Sequence, residues 1–181
     1  MQPDDKAAGK PELLGDDGSS PGGYASPACS AHEVDPNYMM APPAIPQDEL
    51  LALLNSMLEA ERAGAKTIGF YMKGLPPGPA RDALAAVGAD EGRYVVLLRH
   101  LILRFGGVPS TATGSFFDKA QKIDNLRDRL AFLDRGQGWV ARKLEEVLPR
   151  LRDAEARAAL EEMRRTHVEN IRRCGELAAT L

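Results

Sequence analysis

After Pro46 the chain repeats one pattern four times: apolar residues fall three and four apart along four long stretches. That spacing marks one face of a helix, and four such faces can only be buried against one another. The pattern predicts an all-α four-helix bundle. Helix A is expected from about Gln47 to Lys73, with Asp48 and Glu49 placed favourably in its first turn. Gly74-Leu75-Pro76-Pro77-Gly78 ends it. Helix B starts near Pro79, suited to a first helical turn, and stops at Gly106-Gly107. Helix C spans about Asp124 to Leu148, and helix D about Asp153 to Ala179. The A–B and C–D links are short, so each pair forms an antiparallel hairpin. The B–C link, roughly Gly106 to Ile123, is long enough for a crossover, which gives an up-down-down-up order. Phe116-Phe117 within it is expected to cover part of the bundle.

Each stripe changes character in its middle. Helix A reads Leu50, Leu54, Met57, Glu61, Gly64, Ile68, Tyr71. Helix B reads Leu84, Val87, Glu91, Tyr94, Leu98, Leu101, Phe105. Helix C reads Leu126, Leu130, Leu133, Gln137, Val140, Leu144, Val147. Helix D reads Leu160, Arg164, His167, Ile171, Cys174, Ala178. Packed together, the four centres would place Glu61, Glu91, Tyr94, Gln137, Arg164 and His167 at one level. Buried charges without partners are costly, so these groups must satisfy each other or a ligand.

That constellation resembles the ferritin-like superfamily of the bacterioferritin and rubrerythrin type. Di-iron members carry a Glu on each of two helices and Glu-x-x-His on each of the other two. Glu61, in Leu58-Glu59-Ala60-Glu61-Arg62-Ala63-Gly64, matches the helix A ligand, and Glu91-Gly92-Arg93-Tyr94 occupies the helix B motif. Gln137 stands where helix C has Glu, and Arg164-Arg165-Thr166-His167 lies at the second motif. The chain is also similar to uncharacterised bacterial ferritin-like domains, through Gly107-Val108-Pro109-Ser110 and Asn125 to Trp139 as well as the helix A stretch. The resemblance covers about Gln47 to Leu181 and implies a bacterial protein.

The departures from the motif weigh against a di-iron centre. Tyr94 replaces His, Gln137 replaces Glu and Arg164 replaces Glu. Two iron(II) ions carry four positive charges, and two carboxylates remain to meet them. Arg164, always protonated, adds a charge of its own and is expected to bridge Glu61 and Glu91. The first functional reading is therefore a structural or interaction module with a metal-free polar core. The alternative is an oxidoreductase using a single iron or manganese ion held by Glu61, Glu91 and His167. An iron store and a small-molecule pocket complete the set.

Residues 1–45 read as a disordered tail, because Pro, Gly, Ser and Asp dominate and too little apolar surface is available to offset ordering entropy. Tyr38-Met39-Met40-Ala41-Pro42-Pro43 is the one stretch that suits local docking or a protein partner. The net charge of −3 argues against a nucleic-acid partner and a polybasic membrane anchor. No segment holds the roughly 20 apolar residues of a membrane span, and no secretory signal opens the chain. Cys29 and Cys174, far apart, form no disulfide framework and fit a reducing, cytoplasmic setting. A homodimer is compatible with all of this. His100 and His32 have no expected role. Trp139 packs between helices, Cys174 acts as a small hydrophobe, and Gly64, Gly136 and Gly138 mark close helix approach or a helix irregularity.

Overall fold

The structure is a computed structural model that describes residues 42–181. The expected tail, with Cys29, His32 and most of the Tyr38–Pro43 segment, lies outside these residues up to Ala41. The elements are α1 (Gln47–Tyr71), α2 (Pro79–Arg104), a short α3 (Phe116–Ala120), α4 (Leu126–Val147), a 3-10 turn (Leu148–Arg150) and α5 (Ala154–Ala179). Among the described residues all regular structure is helical.

Local chemistry explains the boundaries. Pro79 opens α2, where its missing N–H costs nothing. Asn125 caps α4 by accepting from the Asp128 N–H at 2.8 Å, and Asp153 caps α5 from Ala156 N–H at 2.8 Å. Two residues later than expected, α4 therefore begins at its cap. At the end of α2, Gly106 takes φ +75° and the Gly107 N–H reaches back to the Ile102 carbonyl at 2.8 Å. Only glycine adopts that left-handed turn without strain.

The ends of the helices show their directions. Gln47 Nε2 donates to the Phe105 carbonyl at 2.7 Å, Arg150 pairs with Glu49, and Arg104 pairs with Asp153 at 2.8 Å. One end of the bundle thus holds the start of α1, the finish of α2, the finish of α4 and the start of α5. At the opposite end the Tyr71 hydroxyl donates to the Ala120 carbonyl at 3.3 Å, and Arg129 lies over the Tyr71 ring. Helices α2 and α4 consequently run the same way, and the order is up-down-down-up, as expected. Neighbours are α1 with α2, α4 with α5, α1 with α4, and α2 with α5.

The crossover is not a slack loop. It climbs the outer face of α1, fastened by Asn55 to Val108 and Ser110, by Arg62 and Glu59 to Ser110, and by Lys66 to Thr113. Its helix α3 then sets the Phe116 ring against Gly136, where a Cβ would lie 2.9 Å from ring carbons, and stacks it on Phe132 at 4.2 Å. The Phe pair does cover the bundle, and Gly136 is small because α3 approaches there.

The apolar core comes in two parts. One, at the end where α1 begins, is built on Leu54, Met57, Leu98, Leu144 and Leu160. The other, at the far end, is built on Ile68, Tyr71, Leu84, Leu130 and Cys174. The polar residues of the four stripes sit between them.

Candidate functional site

Each long helix sends one polar side chain into the gap. Glu61 from α1, Glu91 from α2, Gln137 from α4 and His167 from α5 are 0, 3, 4 and 1 % exposed. Two contacts cross the bundle along its two diagonals. His167 Nε2 meets Glu61 Oε1 at 3.1 Å, and Gln137 Nε2 donates to Glu91 Oε1.

Hydrogen-bond roles follow from the histidine's other nitrogen. His167 Nδ1 lies 2.9 Å from the Met163 carbonyl, which can only accept, so Nδ1 carries a proton. In neutral His167 the Nε2 lone pair then faces Glu61, and the pair is joined when Glu61 carries a proton. Burial supplies it: desolvation pushes the Glu61 carboxyl up to about 8 and the Glu91 carboxyl well above its usual range, where the neighbouring Glu61 raises it further. Burial lowers the His167 imidazole, holding it neutral. Burial thus favours a proton-sharing network of neutral groups over buried charges.

Gly64 makes room for it. A Cβ there would lie 2.3 Å from Glu91 Oε2 and 2.6 Å from the carboxyl carbon, so the Glu91 head rests directly on the bare backbone of α1. The group that approaches Gly64 is thus the Glu91 carboxyl.

Tyr94 is present only by its ring, tilted against His167 at 5.6 Å. Its hydroxyl turns outward, donates to Thr166 Oγ1 at 2.7 Å and accepts from Arg93 at 2.8 Å.

Arg164 corrects the expected cluster. It does not bridge Glu61 and Glu91. Its guanidinium pairs with Glu161, one turn earlier on α5, at 2.8 Å, and the side chain is 30 % exposed. The buried stripe of α5 runs Leu160, Met163, His167, Asn170, Cys174, so Met163 takes the inner place assigned to Arg164 and Asn170 that of Ile171. A long cationic chain beside a surface acid has no reason to enter a low-dielectric core. Arg164→Ala should therefore cost at most about 0.5 kcal/mol, the scale of an exposed helix pair. A melting curve of the variant checks this; a drop of many degrees would put Arg164 back in the core.

The donor set does not suit two iron ions. Two carboxyl groups, one imidazole and one amide face the gap, and two carboxylates would meet only half the charge of two iron(II) ions. Two oxygens of the cluster, Glu61 Oε2 and Gln137 Oε1, are buried without a hydrogen-bond partner.

A cavity of about 420 Å³ leads to this cluster between α1, α4 and the crossover. Its buried floor is Glu61, Glu91, Gln137 and His167. Half-buried Phe116, Phe132 and Trp139 form apolar walls, and exposed Lys119 and Arg135 stand at the rim. Trp139 packs on the core as expected, but its other side lines this cavity.

Comparison with known proteins agrees with the architecture. Residues 48–176 match a family described as a domain of unknown function (DUF6306). The fold is similar to a crystal structure of ferritin like, diiron-carboxylate proteins from Bacillus anthracis str. Ames, with TM-score 0.64 and 18% sequence identity, covering 73% of this chain and 96% of that one. The bundle is thus ferritin-like in fold. No curated protein matches in sequence.

Proposed function

This chain belongs to the DUF6306 family, and we propose that its ferritin-like bundle is a structural or interaction module whose proton-sharing polar core stands in place of a di-iron centre. The observation that carries this reading is the pairing across both diagonals, Glu61 with His167 and Gln137 with Glu91. These groups largely satisfy one another without a metal. Two carboxylates also leave half the charge of two iron(II) ions unmatched, and an unmatched buried charge is strongly disfavoured. Metal analysis after growth in iron-supplemented medium should give well under two irons per chain, with no ferroxidase turnover. A content near two with turnover overturns the reading.

One observation favours a second reading, a single iron or manganese ion serving an oxidoreductase. Glu61 Oε2 and Gln137 Oε1 are unpartnered oxygens. His167, anchored through Nδ1 to a backbone carbonyl, is held as metal-binding histidines often are. Such an ion would supply dioxygen chemistry. A manganese(II) titration reporting one site per chain, lost in His167→Phe, would favour it. Iron storage requires a hollow shell of many copies, so sedimentation separates it from both. Among the described residues no helix is long and apolar enough to cross a membrane. A cytoplasmic setting, a homodimer and a partner for residues 1–45 belong to the same proposal.

A further inference from the structure

We propose that the cavity between α1, α4 and the crossover binds a small amphoteric molecule, its amine end on the polar cluster, its carboxylate end at the rim, and a compact apolar body between. The proposal rests on the metal-free reading above, because a bound ion would claim the same oxygens.

The floor sets the inner end of the ligand. Glu61 and Gln137 are buried and line the cavity; Gln137 Oε1 has no partner, and Glu61 Oε2 has no donor other than the Glu91 carboxyl beside it. One Gln137 N–H is committed to Glu91, and His167 Nδ1–H to Met163. What the floor offers is therefore acceptors, above all Gln137 Oε1, and an ammonium group carries three N–H bonds. The walls set the middle. Phe116 and Phe132 stack at 4.2 Å on one side and Trp139 lines the cavity as well, so the passage accepts a ring or a short hydrocarbon body. The rim sets the outer end. Lys119 and Arg135 are both exposed there, Arg135 lying 5.2 Å above the Phe132 ring. The remaining rim charge, Glu59, already accepts from the Ser110 hydroxyl. The two rim cations repel a simple amine, and a simple acid brings no donor to the free acceptors of the floor. A molecule with both groups satisfies both ends. The volume, about 420 Å³, lies in the range of small-ligand pockets.

Isothermal titration of the full chain, after its metal content has been measured, tests this with three probes. These are 4-(aminomethyl)benzoate, benzylamine, which lacks the acid, and 4-methylbenzoate, which lacks the amine. The first is expected to bind at least about tenfold more tightly than either of the others, since a site with unpaired acceptors discriminates against a ligand that cannot donate. Lys119→Ala and Arg135→Ala should each weaken it by about threefold, the scale of an exposed charge pair, and leave benzylamine no weaker than before. Gln137→Leu should remove the preference over 4-methylbenzoate. Metal-free protein that binds none of the probes at millimolar concentration, binds all three equally, or is indifferent to both rim variants overturns the proposal and leaves the metal-free reading intact. Protein that arrives loaded with metal overturns that reading instead.

Discussion

Gly64→Ala is expected to destabilise the bundle by about 3 kcal/mol, which lowers its melting temperature by roughly 10 °C. Two effects compete. Alanine is the better helix former by about 1 kcal/mol. Against that, the new Cβ would stand 2.3 Å from Glu91 Oε2. The Glu91 head cannot simply swing away, because Gln137 donates to it and its helix is packed on α1. Moving it leaves the Gln137 amide and the displaced carboxyl without partners in a dry core, at about 1–3 kcal/mol for each unsatisfied group. The clash therefore wins. Gly69 on the same helix is the control: it is exposed, and nothing lies within 4 Å of its would-be Cβ. Gly69→Ala should stabilise by about 0.5–1 kcal/mol. Glu91→Ala removes the clashing group, so the double variant with Gly64→Ala should be more stable than the sum of the single losses by at least about 1 kcal/mol. Denaturant unfolding of wild type and the four variants decides it. If Gly64→Ala is as stable as wild type, the carboxyl does not rest on that glycine.

The stability of metal-free protein should fall as the pH rises from 6.5 to 8. Glu61 is held protonated in the fold up to about 8, whereas the unfolded chain releases that proton near its ordinary value of 4.5. Between those values the folded state binds more protons, so its advantage shrinks with rising pH. Glu61 alone contributes a loss of roughly 1.5 kcal/mol across this window. Glu91, shifted upward for the same reason, acts in the same direction. His167 works the other way. Its lowered value means that stability is lost on acidification, as pH falls from the unfolded value of 6.5 through the folded one. Asp134, raised to about 6, adds to the loss only at the acid end. Above pH 6.5 the two glutamates govern the slope. Glu61→Gln keeps the shape, and its amide can donate to His167 Nε2, so the variant should show a visibly flatter profile from 6.5 to 8. A wild-type profile that stays level or rises there would mean that both carboxyl groups are already ionised at pH 6.5, and the proton-sharing network would be wrong.

Periodicity alone determined the frame of this protein. Apolar spacing predicts the four long helices, Pro79 and the glycines at 74, 78 and 106 mark their ends, and the lengths of the links set the up-down-down-up order. These are local properties, written in the residues that carry them. The level of the polar cluster was legible too, because Glu61, Glu91, Gln137 and His167 each interrupt a buried stripe at its middle. Arg164 was not. Successive helix positions differ by about 100°, so a stripe read from spacing leaves two candidates for each inward place, and on α5 Met163 and Arg164 both fit. The choice depends on what a side chain can reach: Glu161 offers Arg164 a partner in water, while Met163 needs none in the core. Tyr94 divides the same way, its ring buried on His167 and its hydroxyl drawn out to Thr166 on a neighbouring helix. The seat that Gly64 provides for Glu91, the short helix inside the crossover and the cavity over the cluster exist only once α1, α2 and α4 are side by side. Such features belong to distances between helices, which no single stretch of sequence encodes.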